Sequence, residues 1–337
     1  MIFIVTHKLY RGIKMKIAIL GSGLVAKKIA SYLTEEELVF FSTAEQEIKI
    51  NNKTYRSKKY EELENEKFKV AFGATTSENI EKHYKKLHAD LLIDNSEFFR
   101  QSKLVPLVAC GANDFLIQKD STIIANPNCV SIMILNLLFN LNRFCPISKV
   151  ILTSLQSVSG LGEKALIKLD KERSDYEYLD KRVVPQFEFG GKLVKMYDNI
   201  VPYVGSRENN GKTHEENKIS LEMQKVINPQ FELDAMCIRV PVTIGHTAVL
   251  HITLKEEFNY QKVMRLIDLE TNIKYKEILT LEDVQKDEEN IFATSLEKDP
   301  YCPYGFSIVL MSNNLTIGAA LNSIRIYRKY KELSNVL

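Results

Sequence analysis

The first half of the chain predicts a parallel, doubly wound α/β sheet from two patterns. Lys16 to Leu20 form a short apolar segment, followed by Gly21-Ser22-Gly23 and then a helical pattern that runs through Leu33. Segments of strand character recur after it, with a helical segment at Ser77 to His88 between two of them. Repeated strand and helix units of this length are typical of a parallel sheet covered by helices. The sequence therefore predicts a Rossmann-like dinucleotide-binding domain.

The other elements follow from short apolar runs and from turn residues. Further strands of the parallel sheet are predicted at Leu38 to Phe41, Lys69 to Ala74, Leu91 to Asp94, Val105 to Ala109 and Thr122 to Ala125. Past Phe139 the segments are less regular, with strands expected at Lys149 to Leu155, Cys237 to Val242, Ala248 to Leu254 and Phe306 to Met311. The charged stretch from Lys164 to Lys195 is expected to mix helix with surface loop. A helix is predicted from Thr213 to Ile227, a turn at Gly318 to Ala320 and a closing helix from Leu321 onward.

Composition limits the kinds of partner. The chain has 337 residues, enough for two domains, and its formal net charge is only +2. No basic stripe is interleaved with aromatic residues, which disfavours nucleic-acid binding, and no apolar run reaches the ~20 residues of a membrane span. The five cysteines are widely spaced, at positions 110, 129, 145, 237 and 302. That spacing argues against a disulfide framework and against a metal site, and it favours a cytoplasmic location.

Residues 1–14 read MIFIVTHKLYRGIK, and their apolar part is too short for a secretory signal. A strand pattern starts directly after them at Met15. We therefore expect translation to begin at Met15, with the preceding residues as an extension. The intact mass of the native protein checks this expectation, and a species that begins at Met1 would contradict it.

Cys129 is the candidate nucleophile. It lies between a strand that Asn126 and Pro127 break and the apolar run from Ile132 to Phe139, which reads as a helix. The first amides of a helix are unpaired and carry partial positive charge, so a thiol there is biased toward the reactive thiolate. A buried structural cysteine in a tight turn is the alternative interpretation.

His246 is the candidate base among six histidines. It follows Arg239 by seven residues. Pro241 and Gly245 interrupt the strand there, and the chain then reverses into the strand Ala248 to Leu254. Such a turn can present an imidazole at the end of a sheet. Arg239 lies within an otherwise apolar strand and needs an anionic partner if it is buried. A loop histidine with satisfied hydrogen bonds and an internal ion pair are the alternatives for the two residues.

The glycine turn from Gly21 to Ala26 indicates a dinucleotide. Glycines there allow backbone amides to approach a pyrophosphate at the start of a helix. An acidic residue usually follows about 20 positions later to bind the ribose of NAD. The corresponding segment here, Phe40 to Ala44, carries neither a carboxylate nor an arginine, and Glu45 is close by. The preference between NADP and NAD therefore stays open.

Five motifs, in the right order, resemble those of aspartate-β-semialdehyde dehydrogenase. They are Asn126-Pro127-Asn128-Cys129, Gln156 to Gly160, Glu215 to Lys218, Cys237 to Val242 with Gly245-His246, and Asn314 to Asn322. The resemblance extends from about Met15 to about Arg325. It implies a Rossmann-like domain at 15–131 and 318–337, plus an α+β catalytic and dimerisation domain at 132–317, in a homodimer.

The resemblance also implies a reaction and its residues. The family reduces β-aspartyl phosphate to aspartate semialdehyde with NADPH, releases phosphate and serves amino-acid biosynthesis. Cys129 would form a thioester, His246 would be the acid–base residue and Gln156 would orient the substrate. Arg239 would bind the α-carboxylate and Glu215 the α-ammonium. The expected phosphate-binding residues are Lys218 and Arg100 with Asn128, and those for NADP are Gly21, Ser22, Gly23, Leu24, Val25, Ser42, Thr43, Ser159, Gly160 and Asn314.

Departures from the family pattern concentrate on the cofactor side. The glycine loop lacks the usual threonine and ends in Ala26, and the segment from Ser42 to Glu45 lacks the usual arginine. Val130 replaces the hydroxyl residue that commonly follows the cysteine. Two alternatives therefore remain: a related N-acetylglutamyl-phosphate-type reductase, and a non-catalytic nucleotide-binding paralogue. The joint presence of Cys129, Gln156, Arg239 and His246 speaks against the second.

Overall fold

The computed structural model describes residues 15–178, 183–227, 232–269 and 272–334. The predicted extension at residues 1–14 lies outside them. Within the described ranges, no helix is long and apolar enough to cross a membrane.

Two six-stranded sheets and two small hairpins organise these residues. The strands are β1 (Lys16–Leu20), β2 (Glu37–Ser42), β3 (Glu47–Ile50), β4 (Lys53–Arg56), β5 (Lys58–Lys59), β6 (Lys67–Gly73), β7 (His88–Asp94), β8 (Ile123–Ala125), β9 (Ile147–Gln156), β10 (Phe187–Phe189), β11 (Lys192–Val194), β12 (Glu232–Arg239), β13 (His246–Leu254), β14 (Ile273–Tyr275), β15 (Ile291–Lys298) and β16 (Gly305–Ser312). The α-helices are α1 (Leu24–Tyr32), α2 (Ser77–His83), α3 (Cys129–Phe144), α4 (Glu163–Tyr178), α5 (His214–Ile227), α6 (Tyr260–Leu269), α7 (Leu281–Lys286) and α8 (Leu321–Ser334).

The first sheet confirms the Rossmann-like prediction. Its order is β5-β2-β1-β6-β7-β8, and every neighbouring pair is parallel. The turn after β1 requires glycine, because Gly21 has φ +125° and a Cβ there would lie 2.1 Å from the Ala74 carbonyl oxygen. The carboxyl ends of β1, β6, β7 and β8 share one edge, as in other parallel sheets that bind ligands there.

The second sheet is mixed, in the order β12-β9-β13-β16-β15-β14. Its register places three predicted site residues and one further residue, Ser312, in a single row across the sheet. Arg239 on β12 lies opposite Gln156 on β9, Gln156 opposite His246 on β13, and His246 opposite Ser312 on β16. Sheet pairing alone therefore brings together three residues that are up to ninety positions apart in sequence.

Helix α3 links the two sheets. It begins with Cys129 at the carboxyl edge of the parallel sheet, and its apolar side chains pack into the core of the mixed sheet. The Asn128 side chain caps it by accepting a hydrogen bond from the Val130 amide at 2.9 Å. The predicted domain division after residue 131 falls within this helix and stays a prediction.

Two predicted strands differ in the structure, and proline explains both. Val105 to Ala109 does not join the parallel sheet as a strand, since Pro106 has no N–H for the ladder and only an isolated bridge joins Leu107 to Ala125. The strand predicted at Cys237 to Val242 ends at Arg239, two residues before Pro241, and begins earlier, at Glu232.

Two other predicted elements also differ. The helix predicted from Ser77 to His88 ends at His83, because β7 begins at His88. Gly318 to Ala320 do not form a turn but belong to a π-helical segment that continues directly into α8. Glycine is needed at Gly318 for packing, since a Cβ there would lie 2.7 Å from the Cys129 Cβ.

Candidate active site

A cavity of about 640 Å³ lies where the carboxyl edge of the parallel sheet meets the mixed sheet. Cys129 and Gln156 line it. So do all five residues predicted to bind substrate, which are Arg100, Asn128, Glu215, Lys218 and Arg239. The folded chain therefore gathers residues from four separate motifs around one thiol.

Glu215 is the polar centre of this cavity. Its Oε1 accepts hydrogen bonds from Asn128 at 2.9 Å and Gln156 at 3.2 Å, and its Oε2 lies 2.9 Å from Lys218 Nζ. Burial by itself raises the pKa of Glu215, but Lys218 and the two amide donors outweigh that effect and hold the pKa at about 2. Glu215 is therefore ionised. Its neighbour Glu216 forms the predicted capping box, with Oε2 accepting from the Thr213 amide at 2.7 Å.

Arg239 is a buried guanidinium that lacks a carboxylate partner in the part of the chain that the structure describes. Only 2% of the residue is exposed, and its Nη1 donates to the Ser157 carbonyl at 2.6 Å. Its Nε has no hydrogen-bond partner, and no acidic group within the described ranges lies in ion-pair distance. Burial lowers the pKa of Arg239, although the charge of Glu215 opposes that effect. The internal ion pair considered from the sequence is thus not found among those residues, and the side chain can bind an anion.

Arg100 is largely engaged by the protein itself. Its Nη1 lies 3.1 Å from Glu222 Oε1, its Nε donates to the Asn126 carbonyl at 2.9 Å and its Nη2 donates to the Asn95 carbonyl at 2.7 Å. A guanidinium has five N–H groups, so two remain for a ligand. Arg100 therefore holds the turn before the nucleophile and still lines the cavity.

Glu222 is a site residue that the sequence reasoning missed. It is fully buried, and its Oε2 accepts a hydrogen bond from the Asn128 amide at 2.7 Å while Oε1 pairs with Arg100. The available signal was its position seven residues after Glu215, on the same face of α5. Both of its oxygens fix the chain next to Cys129.

The Cys129 thiol is protonated in this structure. Burial raises the pKa of Cys129 to about 12, and the charge of Glu215 adds to the effect, while Arg100, Lys218 and Arg239 oppose it. The bias toward thiolate expected from the helix start is therefore wrong for this structure, because loss of water outweighs the favourable charges. Any reaction of this thiol needs a group that takes up its proton.

His246 lies behind the cavity wall. It is buried and does not line the cavity, and a Cβ added to Gly160 would lie 3.7 Å from its Nε2. The Ser157 amide donates to Nδ1 at 3.1 Å, so the neutral imidazole carries its proton on Nε2. Burial, aided by the charge of Arg239, lowers the pKa of His246 to about 3. The ring is thus neutral, with an N–H donor on Nε2.

Asn314 ties the loops around His246 together. Its Oδ1 accepts from the hydroxyls of Ser157 and Ser159, both at 3.1 Å, and from the Gly245 amide at 3.0 Å. These contacts join the ends of β9 and β16 to the turn before β13. Asn314 also lines the cavity, as expected for a residue that contacts the cofactor, and it holds the loops around His246 in place.

A second cavity of about 510 Å³ adjoins the first at Gly23, Ala74 and Gly160. Together they form a groove from the end of β2 to Cys129. A Cβ at Gly23 would meet nothing within 4 Å, so this turn leaves room for a ligand next to the backbone. Every residue predicted to bind the cofactor lines one cavity or the other: Gly21, Ser22, Gly23, Leu24, Val25, Ser42, Thr43, Ser159, Gly160 and Asn314.

Two serine hydroxyls that line the cofactor end of the groove are hydrogen-bonded within the protein. The Ser42 hydroxyl is buried and donates to the Ala44 carbonyl at 2.6 Å, and the Ser22 hydroxyl accepts from Gln46 at 2.7 Å. Arg56 lies 2.9 Å from Glu45, so hairpin β3–β4 brings a guanidinium beside the segment in which the sequence lacks one.

A parallel sheet with a glycine turn, joined at a cysteine-containing groove to a mixed sheet, defines the class of two-domain nucleotide-dependent dehydrogenases. Residues 138–317 match the family described as semialdehyde dehydrogenase, dimerisation domain. The chain belongs to the semialdehyde dehydrogenase family, and the resemblance to aspartate-semialdehyde dehydrogenases is confirmed.

Named relatives support this assignment over most of the chain. The aspartate-semialdehyde dehydrogenase of Campylobacter jejuni is 28% identical over 96% of this chain and 99% of its own. The aspartate-semialdehyde dehydrogenase of Helicobacter pylori strain 26695 is 29% identical over 86% of this chain and 87% of its own. The crystal structure of aspartate semialdehyde dehydrogenase II from Vibrio cholerae complexed with ASA has a TM-score of 0.84 at 23% identity, over 97% and 100%. A Candida albicans aspartate semialdehyde dehydrogenase with NADP has a TM-score of 0.71 at 18% identity, over 96% and 100%.

Proposed function

We propose that the protein catalyses the NAD(P)H-dependent reduction of L-aspartyl 4-phosphate to aspartate semialdehyde and phosphate, within the biosynthesis of lysine, threonine and methionine. One observation carries the proposal. Arg239 is a buried guanidinium with no acidic partner among the described residues, in the same cavity as Cys129. Because burial of an unpaired charge is costly, a site of this kind is suited to an anionic ligand. A guanidinium can bind the α-carboxylate of an amino acid through two parallel hydrogen bonds.

The other charged groups suit the rest of such a substrate. Glu215 is ionised, and a carboxylate has about four lone-pair sites, so it can accept from an α-ammonium beside its present contacts with Asn128, Gln156 and Lys218. Lys218 is then available for the phosphate, together with the two remaining N–H groups of Arg100. Cys129 and Gln156 lie between these groups on the cavity wall. This distribution supports one small zwitterionic substrate with a phosphate at its far end.

The proposed chemistry begins at the Cys129 sulfur. The thiol gives its proton to Nε2 of His246, Sγ attacks the acyl carbon, the bond to the phosphate oxygen breaks, phosphate leaves, and a thioester remains on Cys129. After its reduction, the hemithioacetal collapses to the aldehyde, and the sulfur regains a proton. In the tautomer of His246 that acts as the base, the Nδ1–H donates to the Ser157 hydroxyl at 3.1 Å, and Nε2 takes the thiol proton. The resulting Nε2–H can donate to the developing oxyanion, and it returns the proton to the sulfur when the hemithioacetal collapses. A carboxylate bound at Arg239 would offset the charge that lowers the pKa of His246, which strengthens the base when substrate is present.

The groove also fits a dinucleotide. Gly21 and Gly23 form the turn before α1, whose first amides can face a pyrophosphate, Thr43 lies at the far end of the groove and Gly160 lines it together with Cys129. A reduced nicotinamide supplies a hydride when it is bound there. NADP is the proposed cofactor, with NAD as the competing one.

The direct test is turnover in the reverse direction. Incubation with aspartate semialdehyde, phosphate and NADP or NAD should produce reduced nucleotide, and matched initial rates give the preference. If no reduced cofactor forms with either nucleotide, the proposed enzymatic function is rejected. Preference for an N-acylated glutamate semialdehyde would instead favour the related reductase, and nucleotide binding by calorimetry without turnover would favour the non-catalytic paralogue.

We also propose a homodimer that forms through the open face of the mixed sheet. Helices cover one face of this sheet, and the other face exposes apolar side chains from adjacent strands. Ile151 on β9 is 45% exposed and Met236 on β12 is 54% exposed, and Val249 and Val309 lie in the same row as Met236. These four residues all lie within the segment that matches the dimerisation domain. An exposed apolar sheet face of this kind is typical of an interface.

The Met236→Lys variant should dissociate this dimer. A C2 interface repeats the substitution on both copies, so two ammonium groups would be buried in one apolar patch. Light scattering should show a mass near 38.7 kDa in place of roughly twice that value. Leu104→Lys is the matched control, because Leu104 is 95% exposed and lies outside the matched segment. A dimer that survives the Met236 substitution would place the interface elsewhere.

A further inference from the structure

Glu97 is an acidic residue at the proposed phosphate position. It lies in the loop after β7 and lines the cavity. Its Oε2 is 3.1 Å from Lys218 Nζ, and its Oε1 is 3.2 Å from His214 Nε2. The carboxylate therefore reaches from the edge of the parallel sheet to helix α5. Glu97 was not among the residues that the sequence analysis singled out.

Lys218 is consequently held between two carboxylates, Glu215 at 2.9 Å and Glu97 at 3.1 Å. An ammonium has three N–H donors, so these contacts occupy two of them. The two partners differ in how firmly they are fixed. Glu215 has only 10% of its side chain exposed and accepts from two further amides, whereas 41% of the Glu97 side chain is exposed and its other contact is His214. Glu97 is thus the partner that can leave.

A phosphate that approaches Lys218 would meet the Glu97 charge at the same ammonium. Both anions need the same donors, and like charges at this distance repel each other. The geometry points to Glu97 as a residue that competes with phosphate for Lys218, and this inference rests on the proposed function for the identity of the anion. In the reductive direction phosphate is a product, so the return of Glu97 to Lys218 favours its release. Glu97 thereby sets how tightly the site holds the free oxyanion.

Calorimetric titration with inorganic phosphate tests the competition without turnover. The Glu97→Gln and Glu97→Ala variants should bind phosphate about three- to tenfold more tightly than the wild type, since each removes one half-exposed ion pair and one like charge. Glu208→Gln is the matched control. Glu208 contacts His214 Nδ1 at 2.6 Å but not Lys218, so phosphate affinity should stay within twofold of the wild type.

Steady-state rates add a second readout. In the reverse reaction, the KM for phosphate should fall by a similar factor in both Glu97 variants, while the KM for semialdehyde stays within twofold. A merely structural role would move both constants together. Phosphate affinity that is unchanged or weaker in both variants, or absent in all four proteins, would overturn the inference. Tighter phosphate binding in a protein without turnover would instead support the role of Glu97 and reject the proposed reaction.

Discussion

The Cys129→Ala variant should lose at least about 10⁴-fold in kcat while it keeps its fold and its nucleotide affinity, because the thioester cannot form without the sulfur. Removal of a covalent nucleophile leaves only positioning and electrostatic effects, which account for a small part of the rate. Steady-state assays in both directions, with circular dichroism and nucleotide titration, measure the three properties. The backbone and Cβ of Cys129 lie next to Gly318, and alanine keeps these atoms and is smaller, so no clash is introduced.

Cys302→Ala is the matched control for this experiment. Cys302 is a free, partly exposed cysteine between β15 and β16 and does not line the cavity. Its replacement should leave kcat within twofold of the wild type. Appreciable turnover by the Cys129 variant, above a hundredth of the wild-type kcat, would contradict the covalent mechanism.

Alkylation of Cys129 should also depend steeply on pH. With the pKa raised to about 12 by burial, the thiol is protonated throughout the neutral range, and only the thiolate reacts with iodoacetamide. The rate in the absence of substrate should therefore rise about tenfold per pH unit between pH 7 and 9, without a plateau. Mass spectrometry of the Cys129 peptide follows the rate directly. A plateau below pH 8 would indicate a thiolate that is already formed, which would agree with the sequence-based expectation and contradict the structural one.

This difference at Cys129 shows what the sequence could and could not predict. The strand, the proline break and the helix around the thiol were predicted from local patterns, and the structure confirms them. The protonation state depends on how much water surrounds the sulfur and on the charge of Glu215, which is 86 positions away. A local pattern carries no information on either quantity. The long parallel strands were predicted for the same local reason, whereas hairpin β3–β4 and strands β14 and β15 were not, because their segments lack a clear apolar run.

The candidate site was predictable only through motifs. Gln156, Arg239 and His246 come from distant segments, and the row they form depends on the parallel pairing of β12 with β9 and the antiparallel pairing of β9 with β13. Their resemblance to family motifs supplied the grouping that periodicity could not. The motifs assign no role to Glu97 or Glu222. Their importance follows from contacts with Lys218 and Arg100, which appear only when α5 packs against the edge of the parallel sheet.

Arg239→Met should raise the KM for aspartate semialdehyde by about 10²- to 10³-fold, because two charge-assisted hydrogen bonds to the carboxylate contribute about 3 to 4 kcal/mol. The same change should leave the unfolding temperature unchanged or slightly higher. It removes a buried charge that has no acidic partner among the residues described, at the loss of one hydrogen bond to Ser157 worth about 1 kcal/mol. Methionine retains much of the apolar stem, so the core loses little packing. The expected result is thus a loss of function without a loss of stability.

Two further variants separate charge from geometry in this prediction. Arg239→Lys keeps the charge but lacks the planar fork, so its KM should lie between those of the wild type and the methionine variant. Arg207→Met is a surface control, since Arg207 is exposed and stacks on Tyr203 at 5.6 Å, away from the cavity wall. Steady-state kinetics and calorimetric unfolding of all four proteins provide the comparison. A KM within fivefold of the wild type in the methionine variant would show that Arg239 does not bind the carboxylate, and the buried guanidinium would then need another anion, since no acidic side chain within the described ranges pairs with it.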